Sequence, residues 1–162
     1  LDTDERRRFA QVSHEYLIEQ VQHTGADSGS AITLTYNHPV KALFWTAAYT
    51  SAKLQLNGHD RFSEQTKKYF NLVQPYESGL GNGHVLSSTR TWGVLGAAGA
   101  NTGVYSFCLK PGEHQPSGSC NFSRIDNARL NLTGNSGTAM VFALNYNVLR
   151  VMSGMGGLTY SN

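Results

Sequence analysis

The segment EHQPSGSCNFSR, residues 113–124, gathers a carboxylate, an imidazole, three hydroxyls, a thiol and a guanidinium within twelve positions. Glu113, His114 and Cys120 are the residue types of an acid–base pair and a nucleophile. That chemistry requires the three side chains to converge in space, which closeness along the chain does not supply. A turn accounts for more of the segment. Pro111-Gly112 and Pro116-Ser117-Gly118 are turn formers, because proline fixes one dihedral and glycine permits positive φ. Asn121 and Ser123 can bond local backbone groups, and an ion pair between Arg124 and Asp126 would pin the loop to the next strand.

Other chemistries fail on spacing. Of the six histidines, His14, His23, His38, His59, His84 and His114, no two are separated by a single residue. The His-x-His pair of a metal-binding β-barrel enzyme is therefore missing. His14-Glu15 opens a zinc-protease pattern, but Ile18 stands where its second histidine belongs. No Gly-x-Ser-x-Gly elbow occurs, and GVLGAAG lacks the lysine of a phosphate-binding loop. No catalytic, cofactor-binding or metal-ligating residue is assigned, no cofactor is expected, and the chain does not read as an enzyme.

Charge and hydropathy exclude further classes. Thirteen Lys and Arg against eleven Asp and Glu leave a net charge of +2, without a basic stripe, so no direct nucleic-acid partner is expected. Arg6-Arg7-Arg8 follows Asp2, Asp4 and Glu5, the charge order of a solvated helix aligned with its dipole. No window approaches the roughly 18 apolar residues of a membrane span, and AMVFALNYNVL is interrupted by Asn145 and Asn147, so membrane insertion is not expected. Cys108 and Cys120 do not make a disulfide framework and read as reduced thiols. The opening LDTDERRRFA is neither a signal nor a transit peptide, and the simplest explanation of Leu1 is a start partway through a longer protein.

The elements that must position these residues are mostly strands. The 162 residues, 40% hydrophobic, suit one domain spanning 1–162, and 17 glycines cut it into short segments. Asp2 with Glu5 predicts a capping box and a short N-terminal helix. EYLIEQVQ reads as a strand, as does AITLTY with Ile32, Leu34 and Tyr36 alternating. The proline of NHP is expected to hold His38 extended. VKALFWTAAY and AKLQLNG follow, with a tight turn at Asn57-Gly58. YFNLVQ looks extended, although a helical turn starting at Ser63 is also open, and Pro75 ends the segment either way. Residues 79–103 read as a long loop, with room for a short strand at HVLSSTRTW. VYSFCLK is a strand, and RIDNARLNLT and TAMVFALNYNVLRVM are the last two. About eight strands without a repeat point to an all-β, two-sheet jelly-roll sandwich with a short N-terminal helix.

VYSFCLKPGEHQPSGSCNFSRIDNARL resembles the hallmark segment of the major capsid proteins of nucleocytoplasmic large DNA viruses, the group of phycodnaviruses, iridoviruses and mimiviruses. LDTDERRRFAQVSHEYLIEQVQ, NHPVKALFW, KLQLNGHDRF, YFNLVQPYE and NYNVLRVMSGMGGLTYSN are similar to the same family's C-terminal half, in the same order. The resemblance implies a structural virion protein built of two successive jelly rolls, of which this chain is the second. It implies a homotrimer of pseudo-hexameric outline, tiling an icosahedral outer capsid beside neighbouring capsomers and over minor capsid proteins, assembled in host cytoplasm.

The chain departs from the family pattern in places. Residues 79–103 are longer and richer in glycine than the usual connection, which suggests a lineage-specific surface loop. Cys108 stands where the family more often has a small residue, against any required disulfide. Asn121-Phe122-Ser123 and Asn131-Leu132-Thr133 fit the glycosylation sequon, although cytoplasmic assembly argues against secretory glycosylation. Loops 79–103 and 111–121 are expected to face the exterior or a neighbouring subunit. The competing reading is a glycan- or receptor-binding jelly roll using Trp92 and the glycine-rich loop.

Overall fold

The computed structural model describes residues 1–80 and 101–160. Helix α1 (Thr3–Gln11) starts as expected. The Asp2 carboxylate accepts the Thr3 N–H at 2.6 Å, and Glu5 reaches back to the Asp2 N–H at 3.1 Å. The arginine run lies on its solvent face, with Arg7 paired to Asp4 at 3.7 Å.

Among the described residues eleven strands follow: β1 (His14–His23), β2 (Ala31–Thr33), β3 (Pro39–Thr46), β4 (Ser51–Leu56), β5 (His59–Asp60), β6 (Gln65–Thr66), β7 (Thr102–Ser106), β8 (Cys120–Asn121), β9 (Ala128–Thr133), β10 (Met140–Met152) and β11 (Met155–Leu158). One sheet runs β1-β10-β3-β7, with β11 beside β10 and β8 beside β3. The other runs β2-β9-β4-β5, with β6 beside β4. The pairings are antiparallel, and four of them nest: β1 with β10, β2 with β9, β3 with β7, β4 with β5. A ribbon of nested antiparallel pairs rolled into two facing sheets is a jelly roll. Eight strands have three or more residues; β5, β6 and β8 have two each.

The core lies between the sheets because alternate positions on both point inward. Ile32, Leu43, Trp45, Leu54, Leu130, Leu132 and Val141 are all essentially buried. Each such side chain contributes on the order of 2 kcal/mol by leaving water. Phe70 meets Trp45 edge-on at 5.1 Å and Phe62 at 5.5 Å, closing one end of the core with aromatic contacts.

Several local expectations give way to tertiary contacts. His38 is not extended: its φ is +68°, held because its N–H donates to Ser123 Oγ at 2.9 Å and its carbonyl accepts the Phe122 N–H at 3.1 Å. YFNLVQ is helical rather than extended. A π-helical turn at Tyr69–Val73 runs into α2 (Gln74–Glu77) and puts Phe70 into the core. Pro75 sits in the first turn of α2, where its missing N–H costs little, and so does not end the segment. β2 stops at Thr33, yet Leu34 and Tyr36 stay buried. β11 follows β10, so TAMVFALNYNVLRVM is not the last strand; it folds back through Ser153-Gly154, both with positive φ. The Asn57-Gly58 turn stands as read, with φ of +51° and +80°. HVLSSTRTW lies outside the described residues.

Candidate interaction surface on the six-stranded sheet

Residues 107–119 form a loop after β7, then β8 and a 3-10 turn at Phe122–Arg124 complete the segment that opened the question. Among the described residues no hydrogen bond or ion pair joins Glu113, His114 and Cys120 to one another. Glu113 pairs instead with Lys110 at 3.0 Å. Cys120 lies in β8 against Val40, and burial pushes its thiol up, opposite to what a nucleophile needs. Both cysteines are free. Arg124 and Asp126 form no ion pair; the loop is fastened by Asn57, whose Oδ1 accepts the Asp126 and Asn127 N–H groups at 3.0 and 3.2 Å. Among the described residues no group of histidine, cysteine and carboxylate side chains is placed to hold a metal ion, and no helix is long and apolar enough to cross a membrane. Trp92 falls outside the described residues.

Lys41 is the chemical feature that the sequence reading missed. Between the Ala42↔Leu144 and Val40↔Asn145 pairings β3 carries one extra residue, Lys41, a β-bulge. The bulge turns Lys41 onto the outer face of the sheet, away from the core. Its side chain is fully buried there, and Nζ donates to Glu19 Oε1 at 2.5 Å and to the Glu113 carbonyl at 3.2 Å. The ammonium also lies 5.0 Å from the centre of the Tyr146 ring. Burial pulls the lysine pKa down, but the Glu19 hydrogen bond and charge, with Tyr146, raise it further, so it stands above its ordinary value. The Lys41 carbonyl accepts the Phe107 N–H at 2.8 Å, so one residue holds the 107–119 loop at two points. Gly112 to Pro116 of that loop are exposed. A lysine inside the apolar run VKALFW was the available signal.

Outward positions of the sheet are also apolar. Directly opposite residues share a face, so Leu17, Glu19, Val21 and His23 of β1 stand beside Val148, Tyr146, Leu144 and Phe142 of β10. Glu15 faces Arg150, whose Nε donates to it at 2.8 Å. On the core side Gly103 lies against Trp45, leaving no room for a side chain: a Cβ would stand 2.3 Å from Trp45 Cε2.

The other sheet is tied by two carboxylates. Glu64 accepts from Ser51 and, at 2.6 Å, from Thr133, while Asp60 accepts from Gln55 at 2.8 Å and Lys53 at 3.1 Å. These hydrogen bonds hold both carboxyls below the usual carboxylate range. A lowered folded pKa contributes stability above the unfolded value and loses it as pH falls through the folded one. Stability is therefore expected to hold down to about pH 5 and to fall from about pH 4 downward. In urea titrations across that range Glu64→Gln should flatten the acid slope; an unchanged slope would show that these bonds carry no linkage. Of the sequon residues, Asn121 accepts the Ser123 N–H at 3.1 Å and Asn131 donates to Gln55 at 3.0 Å.

The sequence matches the family described as large eukaryotic DNA virus major capsid protein, over residues 5–49 and 46–157. The chain belongs to this family. It is 55% identical to a major capsid protein of Pyramimonas orientalis virus across 100% of its own length and 47% of that protein's. To the major capsid protein of Paramecium bursaria Chlorella virus 1 it is 38% identical, covering 100% of this chain and 52% of that protein. Among solved structures, a chain of the PBCV-1 virus capsid superposes with a TM-score of 0.80 at 38% identity, covering 100% of this chain and 55% of the other. A Faustovirus major capsid protein, 12% identical, shares the fold with a TM-score of 0.58 over 91% of this chain and 35% of its own. The chain thus spans about half the length of the relatives it matches. These relatives are structural proteins, not enzymes.

Proposed function

We propose that residues 1–162 form one jelly-roll domain, the C-terminal half of a major capsid protein. The full-length protein forms a homotrimer of pseudo-hexameric outline, and trimers tile the icosahedral outer capsid of a virion assembled in host cytoplasm. Its partners are its own copies, neighbouring capsomers and minor capsid proteins, without direct nucleic-acid contact or membrane insertion. The observation that carries this reading is 55% identity to a major capsid protein along the entire chain. The physics agrees with it: a sandwich cored by Trp45, Phe70 and Phe122 is stiff, and a stiff tile lets many modest contacts add up across a lattice.

Analytical ultracentrifugation of the full-length protein, paired with a glycan array, tests the proposal. Trimers without sugar affinity are expected. A monomer that binds glycans would replace the capsid reading with that of a recognition module.

A further inference from the structure

Residues 107–119 are an excursion from one sheet edge. β7 pairs with β3 as far as Ser106 opposite Ala42, and β8 resumes beside the same strand with Cys120 opposite Val40. The excursion therefore starts and ends at neighbouring points, as a compact Ω-loop does. Its own bonds hold it together: the Lys110 N–H donates to Ser117 Oγ at 3.0 Å, the Glu113 N–H to the Lys110 carbonyl at 3.3 Å, and the Lys110 ammonium pairs with the Glu113 carboxylate at 3.0 Å. At the neck Gly118, with φ of +134°, lies so close that a Cβ would stand 3.4 Å from Cys108 Cα. A loop knit in this way keeps its shape when it lifts. Past the neck it is bound to the sheet by the Lys41 ammonium, which donates to the Glu113 carbonyl at 3.2 Å.

That bond depends on Glu19. A fully buried ammonium is tolerated while a carboxylate faces it and becomes costly without one. The groups facing Lys41 are Glu19 from β1, the Tyr146 ring from β10 and the Glu113 carbonyl from the loop. The other carboxylates nearby are engaged, Glu15 with Arg150 and the Glu113 side chain with Lys110. Burial lowers the Lys41 pKa, yet Glu19 raises it above its ordinary value, so the two charges are coupled. Glu19 is a third exposed, and a proton reaches it from solvent without any prior opening. Once it is neutral, no carboxylate among the described residues stands in its place. The ammonium then regains a partner by meeting water, and the loop backbone at Glu113 lies in the way.

We infer that Glu19, Lys41 and the Glu113 carbonyl form an acid-sensitive latch: with Glu19 charged the 107–119 loop is held down, and a proton on Glu19 releases it while both sheets stay paired. The sign follows from the charges. The latch is closed at neutral pH and opens as pH falls into the range where carboxylates take up protons, about pH 4. Opening is local, so it precedes loss of the core. The device goes beyond the capsid reading and does not depend on it.

Hydroxyl-radical footprinting of the full-length protein, read residue by residue at about pH 7 and about pH 4.5, tests the latch. Tyr146 lies beneath it and is buried, Tyr76 is exposed and serves as reference, and Trp45 in the core reports the fold. In wild type, modification of Tyr146 should rise about fivefold or more between neutral and acid pH, as a ring passing from buried to open does, with Trp45 unchanged. Glu19→Gln, which keeps the shape without the charge, should show the raised level already at pH 7. Lys41→Met removes the charge that drives release, so its Tyr146 should stay protected at both pH values. Protection of Tyr146 in acid and in Glu19→Gln overturns the latch. Joint exposure of Tyr146 and Trp45 also overturns it, since the pair would then support the sandwich as a whole. An acid response of Lys41→Met equal to wild type does the same, because the trigger would lie elsewhere.

Discussion

Glu19→Ala is expected to destabilise the protein by about 3 kcal/mol, whereas Lys41→Met should change stability by no more than about 1 kcal/mol. The asymmetry follows from where the two groups sit. The Lys41 side chain has no exposure, while Glu19 retains about a third of its own, 32%. Removing Glu19 strands a buried ammonium whose remaining partners among the described residues are the Glu113 carbonyl and the Tyr146 ring. Removing Lys41 leaves a carboxylate that water can still reach, and methionine fills similar space. Because Lys41 is raised above its ordinary value, its contribution is complete below about pH 10 and is lost as pH rises through the folded value. Urea midpoints at pH 7 separate the two variants. Equal losses would mean that the pair is a source of stability in its own right and not a charge in need of a partner.

Gly103→Ala should cost about 3 kcal/mol, the upper part of the range for overpacking. The added Cβ would lie 2.3 Å from the Trp45 indole, whose ring is 1% exposed and hemmed in by Tyr49 and Phe70. Neither the β3–β7 pairing nor the ring can shift without opening the core. Trp45→Leu should itself be destabilising, but in that background Gly103→Ala should cost less than about 1 kcal/mol, since the obstructing ring is gone. A double-mutant cycle in thermal or urea unfolding measures this coupling. Additive losses would place the clash elsewhere.

What the sequence made legible was local. The capping box at Asp2 and Glu5, the Asn57-Gly58 turn and the inward alternation of Ile32, Leu34 and Tyr36 all depend on neighbours within a few residues, and all hold. The features that escaped depend on distant partners. His38 takes a positive φ because Ser123 and Phe122, more than eighty positions away, bind its backbone. YFNLVQ has an extended-looking composition, but Phe70 reaches Trp45 and Phe62 only if the backbone turns there. The Lys41 bulge exists only relative to the register of β10, which no local pattern encodes. The part that segment 113–124 plays in the fold is one that spacing alone does not reveal. It is the Glu113 backbone carbonyl, not the carboxylate or its neighbouring imidazole, that meets the buried ammonium.

Electron cryo-microscopy of assembled full-length protein tests the central claim most directly, that this jelly roll is a rigid tile set beside copies of itself. A threefold particle in which both sheets keep the pairings described here is expected. Particles without ordered copies around a threefold axis, or a domain whose two sheets have come apart, would contradict it.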